Sequence, residues 1–223
     1  MMFLSYILNE KTPTYGNRNR FVIEKKSSIK SGDIANDSFI HTTVHVGTHI
    51  DMPYHFYEDG QTISDFEPNF WISDKVLFFE IEPESLIIKH ELFAKLHEVD
   101  VGAEYEILIV KTGACHSRDK KIFWEKNYGF SSEIADYLKE YFPNIRIFGF
   151  DSISISSFTS RKVGKEAHKR FLDPKNPILL LEDMDLKQVD KNTEIKKIII
   201  CPLRIAKSDA LPCTVFAEVL DEY

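Results

Sequence analysis

Apolar positions along this chain recur mostly with the period of strands. Runs rich in β-branched and aromatic residues predict strands over residues 39–50, 75–81, 107–111, 145–150, 178–181, 198–201 and 215–220. Helical spacing stands out in two places. Residues 131–141 open on Ser131 as an N-cap with Glu133 beside it, carry Ile134, Tyr137, Leu138 and Tyr141 on one face, and stop before Pro143. Residues 85–96 space Leu86, Phe93 and Leu96 in a similar way. Strands outnumber helices and are mixed with them. The expected fold class is therefore α/β, a single domain with mixed, partly antiparallel sheets and few helices.

Composition narrows this picture more than it changes it. A chain of 223 residues can bury a full core as one domain, and no repeat, low-complexity tract or linker divides residues 1–223. The formal net charge is −7 with Lys and Arg scattered, which leaves no broad basic face for nucleic acid. Cys115, Cys201 and Cys213 are odd in number and lack C-x-x-C spacing, so no disulfide framework or zinc finger is expected. The first residues, Met1 to Tyr6, do not read as a signal peptide, and no apolar run is long enough to span a bilayer. A cytoplasmic protein with no membrane partner is expected. Nucleotide-binding glycine fingerprints are absent.

The chemistry concentrates between His45 and His55. Odd positions there read His45, Gly47, His49, Asp51, Pro53 and His55, while Val46, Thr48, Ile50, Met52 and Tyr54 alternate with them. On a strand this period of two would collect three imidazoles and a carboxylate on one face and send apolar groups to the core. Pro53 has no N–H for a ladder, so the strand should end near it, with His55 at a strand end or in a loop. Buried together, these donors demand a partner, and a divalent cation supplies one. Nitrogen and oxygen donors without thiolates suit zinc or manganese, with iron also compatible.

The segment matches H-x-G-T-H-x-D-x-P-x-H, and in this it resembles the cyclase-like metal-dependent hydrolase family, which includes bacterial kynurenine formamidase and isatin hydrolase. Leu4-Ser5, Thr12-Pro13-Thr14-Tyr15, Asp59-Gly60, Thr112-Gly113, Gly149-Phe150-Asp151, Ser154, His168 and Glu182 are similar to further family positions. The resemblance implies a swivelling β/β/α fold, a homo-oligomer (dimer or tetramer), and one or two divalent ions, commonly zinc. It implies that His45, His49, Asp51, His168 and Glu182 are the metal ligands, with Asp51 bridging, and that His55 is a general acid/base. The implied activity is hydrolysis of a small-molecule amide by metal-activated water, best represented by an aryl formamide such as N-formylkynurenine. The alternatives are a cyclic amide or lactone of the isatin type, and a non-catalytic metal- or ligand-binding module on the same fold.

Read without the resemblance, Glu182 follows the apolar run 177–181, where a carboxylate needs a cation or several hydrogen bonds, whereas His168 on a short helical stretch reads as a surface histidine. His41 lies outside the signature, and His90 and His97 read as solvated. Cys115 and His116 are adjacent and would point apart, so they do not form a nucleophile–base pair. Asp151 is expected to cap the turn at 152–154. Tyr15, Phe56 and Trp71 are aromatic candidates for a pocket wall.

Overall fold

Strands built on the predicted apolar runs assemble into a nine-stranded mixed sheet in the computed structural model, which describes residues 1–100 and 104–220. In chain order the strands are β1 (Met2–Phe3), β2 (Val22–Ser27), β3 (Asp37–His41), β4 (His49–Asp51), β5 (Ile72–Ser73), β6 (Val76–Glu80) and β7 (Ile87–Ile88). They continue as β8 (Ile107–Lys111), β9 (Gly129–Phe130), β10 (Ile147–Phe150), β11 (Leu179–Glu182), β12 (Glu194–Pro202) and β13 (Ala210–Leu220). The helices are α1 (His90–Leu96), α2 (Ile122–Glu125), α3 (Ser132–Tyr141) and α4 (Arg161–Phe171).

The large sheet runs β5-β12-β13-β4-β11-β10-β8-β6, with β1 also paired to β13. Strands β11, β10, β8 and β6 are parallel and read as near-continuous apolar runs, as strands covered on both faces should. From β4 through β13 and β12 to β5 the pairing is antiparallel. Three-residue β4 stands at the junction, antiparallel to both β11 and β13. One large apolar cluster unites both halves, from Leu108 and Phe148 to Ile198 and Val215. The expected mixed α/β class is what the chain adopts.

Two expected elements are corrected. Residues 39–50 do not form one strand: β3 ends at His41 and pairs with β2 in a separate exposed hairpin, and pairing resumes only at His49. Gly47, whose φ of +59° is left-handed, turns the chain just before pairing resumes at His49 and keeps an extended ladder from running through the motif. Residues 85–96 are helical only from His90, because Ile87 and Ile88 form β7 and pair in parallel with Gly129 and Phe130. Helix α3 meets its expectation, with the Ser131 hydroxyl accepting from the Glu133 N–H.

At Gly47 a side chain would be strained twice. The φ is unfavourable, and a Cβ would sit 2.3 Å from Leu8 Cδ2. Gly47→Ala is expected to lower stability by about 1–3 kcal/mol. An unchanged urea midpoint would show that this turn is not held as described.

Candidate metal centre

Antiparallel register explains half of the site before any side chain is considered. His49 stands opposite Glu182 on β11, and Asp51 lies two residues along β4 on the same face. The intervening Ile50 stands opposite Leu181 and Leu211, all fully buried on the other face. On the β13 side Asp51 pairs with Ala210, so Asp209 sits beside the cluster at the strand's start. Its carbonyl accepts from the Met52 N–H.

The remaining donors come from turns and one helix. The Gly47 turn brings His45 back over β4, and Pro53–His55 form a 3-10 turn that carries His55 inward. Convergence at the motif therefore comes from two turns flanking a three-residue strand, and not from an eleven-residue alternation. Helix α4 buries Gly164, Ala167, His168 and Phe171, spaced i, i+3, i+4 and i+7. Phe171 stacks on Phe148 of β10 at 5.2 Å between centroids, which fixes the helix on the sheet. At Gly164 a Cβ would lie 2.0 Å from Ser156 Oγ, so only glycine permits this approach. His168 is thereby buried, which corrects the surface reading of its local sequence.

All five expected ligand residues come together. Asp51 Oδ1 lies 2.9 Å from His45 Nδ1 and 3.4 Å from His49 Nε2, while Oδ2 lies 3.5 Å from His168 Nε2. Glu182 Oε2 is 3.4 Å from His49 Nε2, and Oε1 is 3.9 Å from His168 Nε2. Despite this proximity, His49 Nε2 and both oxygens of Asp51 are buried without a hydrogen-bond partner. Such orphaned donors and acceptors are expensive unless a cation occupies their meeting point.

Ring orientation points to the same need. The Nδ1 of His49 is hydrogen-bonded to the Gly47 carbonyl at 2.8 Å, and that of His168 to the Gly164 carbonyl at 2.9 Å. A carbonyl can only accept, so Nδ1 carries a proton in each, and the Nε2 on the side of Asp51 and Glu182 is the nitrogen whose lone pair a cation would take by displacing the second proton. Glu182 is steadied separately, its Oε1 accepting from the Ile155 N–H at 2.8 Å. The donor set of imidazole nitrogens and carboxylate oxygens fits a divalent ion of the zinc or manganese kind.

Charge in the cluster follows from burial set against contact. Burial disfavours the charged form of His45, but Asp51 and Asp209 outweigh it and raise the imidazole to about 9. His49 and His168 are likewise raised against burial, chiefly by Asp51 and Glu182. In chelator-treated protein the stability gained from His45 is complete below its unfolded value of about 6.5 and is lost as pH rises through about 9. The melting temperature of that protein is expected to fall between pH 6.5 and 9.5. Zinc binding should strengthen over the same window, because protons compete with the ion for these nitrogens. A flat melting temperature after chelation would contradict the paired imidazoles.

Asp209 had no signal in the sequence. Its Oδ2 is 2.8 Å from His45 Nε2 and 3.1 Å from His55 Nδ1, so one oxygen orients two rings. Those contacts hold its carboxyl far below the usual carboxylate range. Arg118 was also missed. It forks onto buried Asp183 at 2.7 and 2.8 Å and lies over the Tyr6 ring, so the acid directly after Glu182 is buried and paired. Thr48 ties the motif to that point, donating to the Asp183 carbonyl at 2.6 Å.

Tyr15 and Phe56 line the cavity of about 430 Å³ above the cluster, with Phe56 stacked on His168. Trp71 instead packs in the core against Phe66 and Phe70. His41, His90, His97 and His116 are exposed and stand apart from the cluster. Asp151 caps the turn at 112–115, accepting from the Thr112 and Cys115 N–H groups rather than from the turn after it. Burial, reinforced by Asp151, pushes the Cys115 thiol up to about 12, which leaves it inert as a nucleophile.

Fold and donor set together define a mixed α/β protein with a candidate divalent-metal centre where its parallel and antiparallel halves meet. Residues 2–157 match the family model described as "Putative cyclase", and the chain belongs to this Cyclase family. Similar proteins include the kynurenine formamidases of Geobacillus thermodenitrificans (strain NG80-2), 26% identical over 94% of this chain and 92% of the relative, and of Bacillus cereus, 28% identical over the same shares. Among solved structures, isatin hydrolase A from Labrenzia aggregata superposes with a TM-score of 0.78 at 19% identity, covering 99% of this chain and 93% of that one. A predicted metal-dependent hydrolase from Bacillus stearothermophilus gives 0.75 at 21%, covering 97% and 96%.

Proposed function

We propose that this protein is a metal-dependent hydrolase of carbon–nitrogen amide bonds, with an aryl formamide of the N-formylkynurenine type as its substrate class. The observation that carries the reading is the set of buried, unpartnered donors, His49 Nε2 and both Asp51 oxygens, met by His45, His168 and Glu182. These five residues would hold the ion, with Asp51 central to the set. Bound there, a divalent ion supplies a water of lowered pKa and polarises a substrate carbonyl. Similarity to the kynurenine formamidases supports the choice of a formamide.

The chain's own residues then manage protons and access. Asp209 accepts from His55 Nδ1, which leaves His55 Nε2 as the free basic nitrogen. His55 lies beside the cluster, its ring 4.3 Å from that of His45 and 5.7 Å from that of His168. From there it can take a proton from the attacking water and return one to the departing amine nitrogen. Phe56 lies over His168 as an apolar cover on that residue and meets the His55 ring at right angles. No serine or cysteine nucleophile is required.

Metal analysis joined to turnover assays on N-formylkynurenine and isatin tests the proposal. Zinc or manganese at one or two ions per chain, with formate released from the formamide, is the expected result. Bound metal without turnover of any amide or lactone would favour a binding module, and isatin turnover alone would move the substrate to cyclic amides.

A further inference from the structure

The outer rim of the same cavity carries a charge pattern that metal chemistry does not explain. Arg18, Arg161 and Lys165 all line it, in a chain whose net charge is −7. No carboxylate lies within ion-pair distance of any of the three among the described residues, and the only acids lining the cavity, Asp51 and Glu182, belong to the inner cluster. Exposed cations are ordinarily solvated and unremarkable, but these three border one cavity, and the two arginines share an aromatic brace. Arg161 lies 4.5 Å and Arg18 5.7 Å from the ring centroid of Phe158, so one aromatic ring braces both guanidinium groups. A cation–π contact of this kind restrains a guanidinium over the ring face while leaving N–H donors available at its edge. Burial raises the neighbouring Tyr15 phenol above its ordinary pKa, against the opposing pull of Arg161 beside it.

Helix geometry ties the rim to the metal cluster. Arg161, Lys165 and His168 stand at i, i+4 and i+7 on α4 and so share one face. At 1.5 Å of rise per residue, Arg161 lies about 10 Å and Lys165 about 4.5 Å along the axis from His168. A small molecule with its acyl carbon at the cluster would carry its far end into this rim.

We propose that Arg18, Arg161 and Lys165 form an anion subsite that selects amides bearing a carboxylate remote from the bond that breaks. The inference rests on the hydrolase reading above for the identity of the bond, and on the rim alone for the charge. Forked N–H donors match a carboxylate, and like charges gathered without a counter-ion are relieved when one binds.

Kinetics of the zinc-loaded protein on formanilide, 4-formamidobenzoate and 4-formamidobenzylamine read the preference directly. The carboxylate substrate is expected to have the highest kcat/KM and the ammonium substrate the lowest, with the difference residing in KM. In an Arg161→Gln/Lys165→Gln double variant the carboxylate-to-neutral ratio should fall roughly tenfold, the size expected when two partly screened ion pairs are lost. Arg161→Glu/Lys165→Glu should reverse the order of the two charged substrates. A ratio equal in the parent and both variants overturns the subsite. If none of the three amides is hydrolysed, the hydrolase reading fails there, and calorimetric titration with sulfanilate against aniline tests the rim by itself, since a sulfonate is a poor metal ligand. Saturable sulfanilate binding that is lost in the glutamine variant upholds the subsite, and absence of binding overturns it.

Discussion

Replacing Asp51 with asparagine is expected to weaken zinc binding by more than about 100-fold, beyond the effect of removing a partner outside the ligand set. Hydrolysis should be lost with it. Three imidazoles, those of His45, His49 and His168, approach the two oxygens of this one carboxylate, and among the described residues no other side chain pairs with all three. Asparagine preserves the shape but removes the negative charge and offers one oxygen where two were used. The carboxyl of Asp51 is itself held well below its usual range against the opposing effect of burial, chiefly by His45, so it is ionised at any working pH. Equilibrium dialysis against zinc, followed by metal analysis, measures the loss. Full zinc occupancy in Asp51→Asn would remove the basis of the centre, whatever became of the activity.

Substituting His55 with glutamine should have the opposite pattern. Zinc content is expected to stay at the parent level while kcat falls about 10²–10⁴-fold, the usual worth of a positioned acid/base group. His55 touches the cluster through Asp209 and by ring contact with His45 and His168, and it lies within reach of Asp51 as well. That last proximity makes metal content the deciding measurement. If the variant binds zinc normally and turns over slowly, His55 handles protons. If zinc is lost as in Asp51→Asn, then His55 is a ligand and the proton carrier must be sought elsewhere.

Legibility differed from residue to residue for physical reasons. The motif histidines are conspicuous in the sequence, yet the strand alternation it predicts is not what makes them converge. A period of two is compatible with a strand, and only the left-handed Gly47 shows that the chain turns instead. Glu182 could be inferred because an acid directly after an apolar run has few inexpensive environments. His168 could not be inferred from local sequence, since its neighbours Lys169 and Arg170 are exposed and its burial depends on Phe171 packing against β10. Asp209 meets His55 across 154 residues and His45 across 164, and no local pattern reports such a contact. The rim cations are likewise ordinary surface residues until α4 is set beside the cavity.

By itself the sequence determined the class of fold, the apolar strands of the parallel half, and the kinds of atom available for chemistry. These are local properties: side-chain periodicity, turn residues and ligand type act over a few positions. Only the tertiary structure decided which donors meet, that Asp209 orients two rings, and that three cations border the cavity. Those facts depend on the register of β4 between β11 and β13 and on the seating of α4 against the sheet. Packing of residues far apart in the chain sets both, and local spacing carries no record of it.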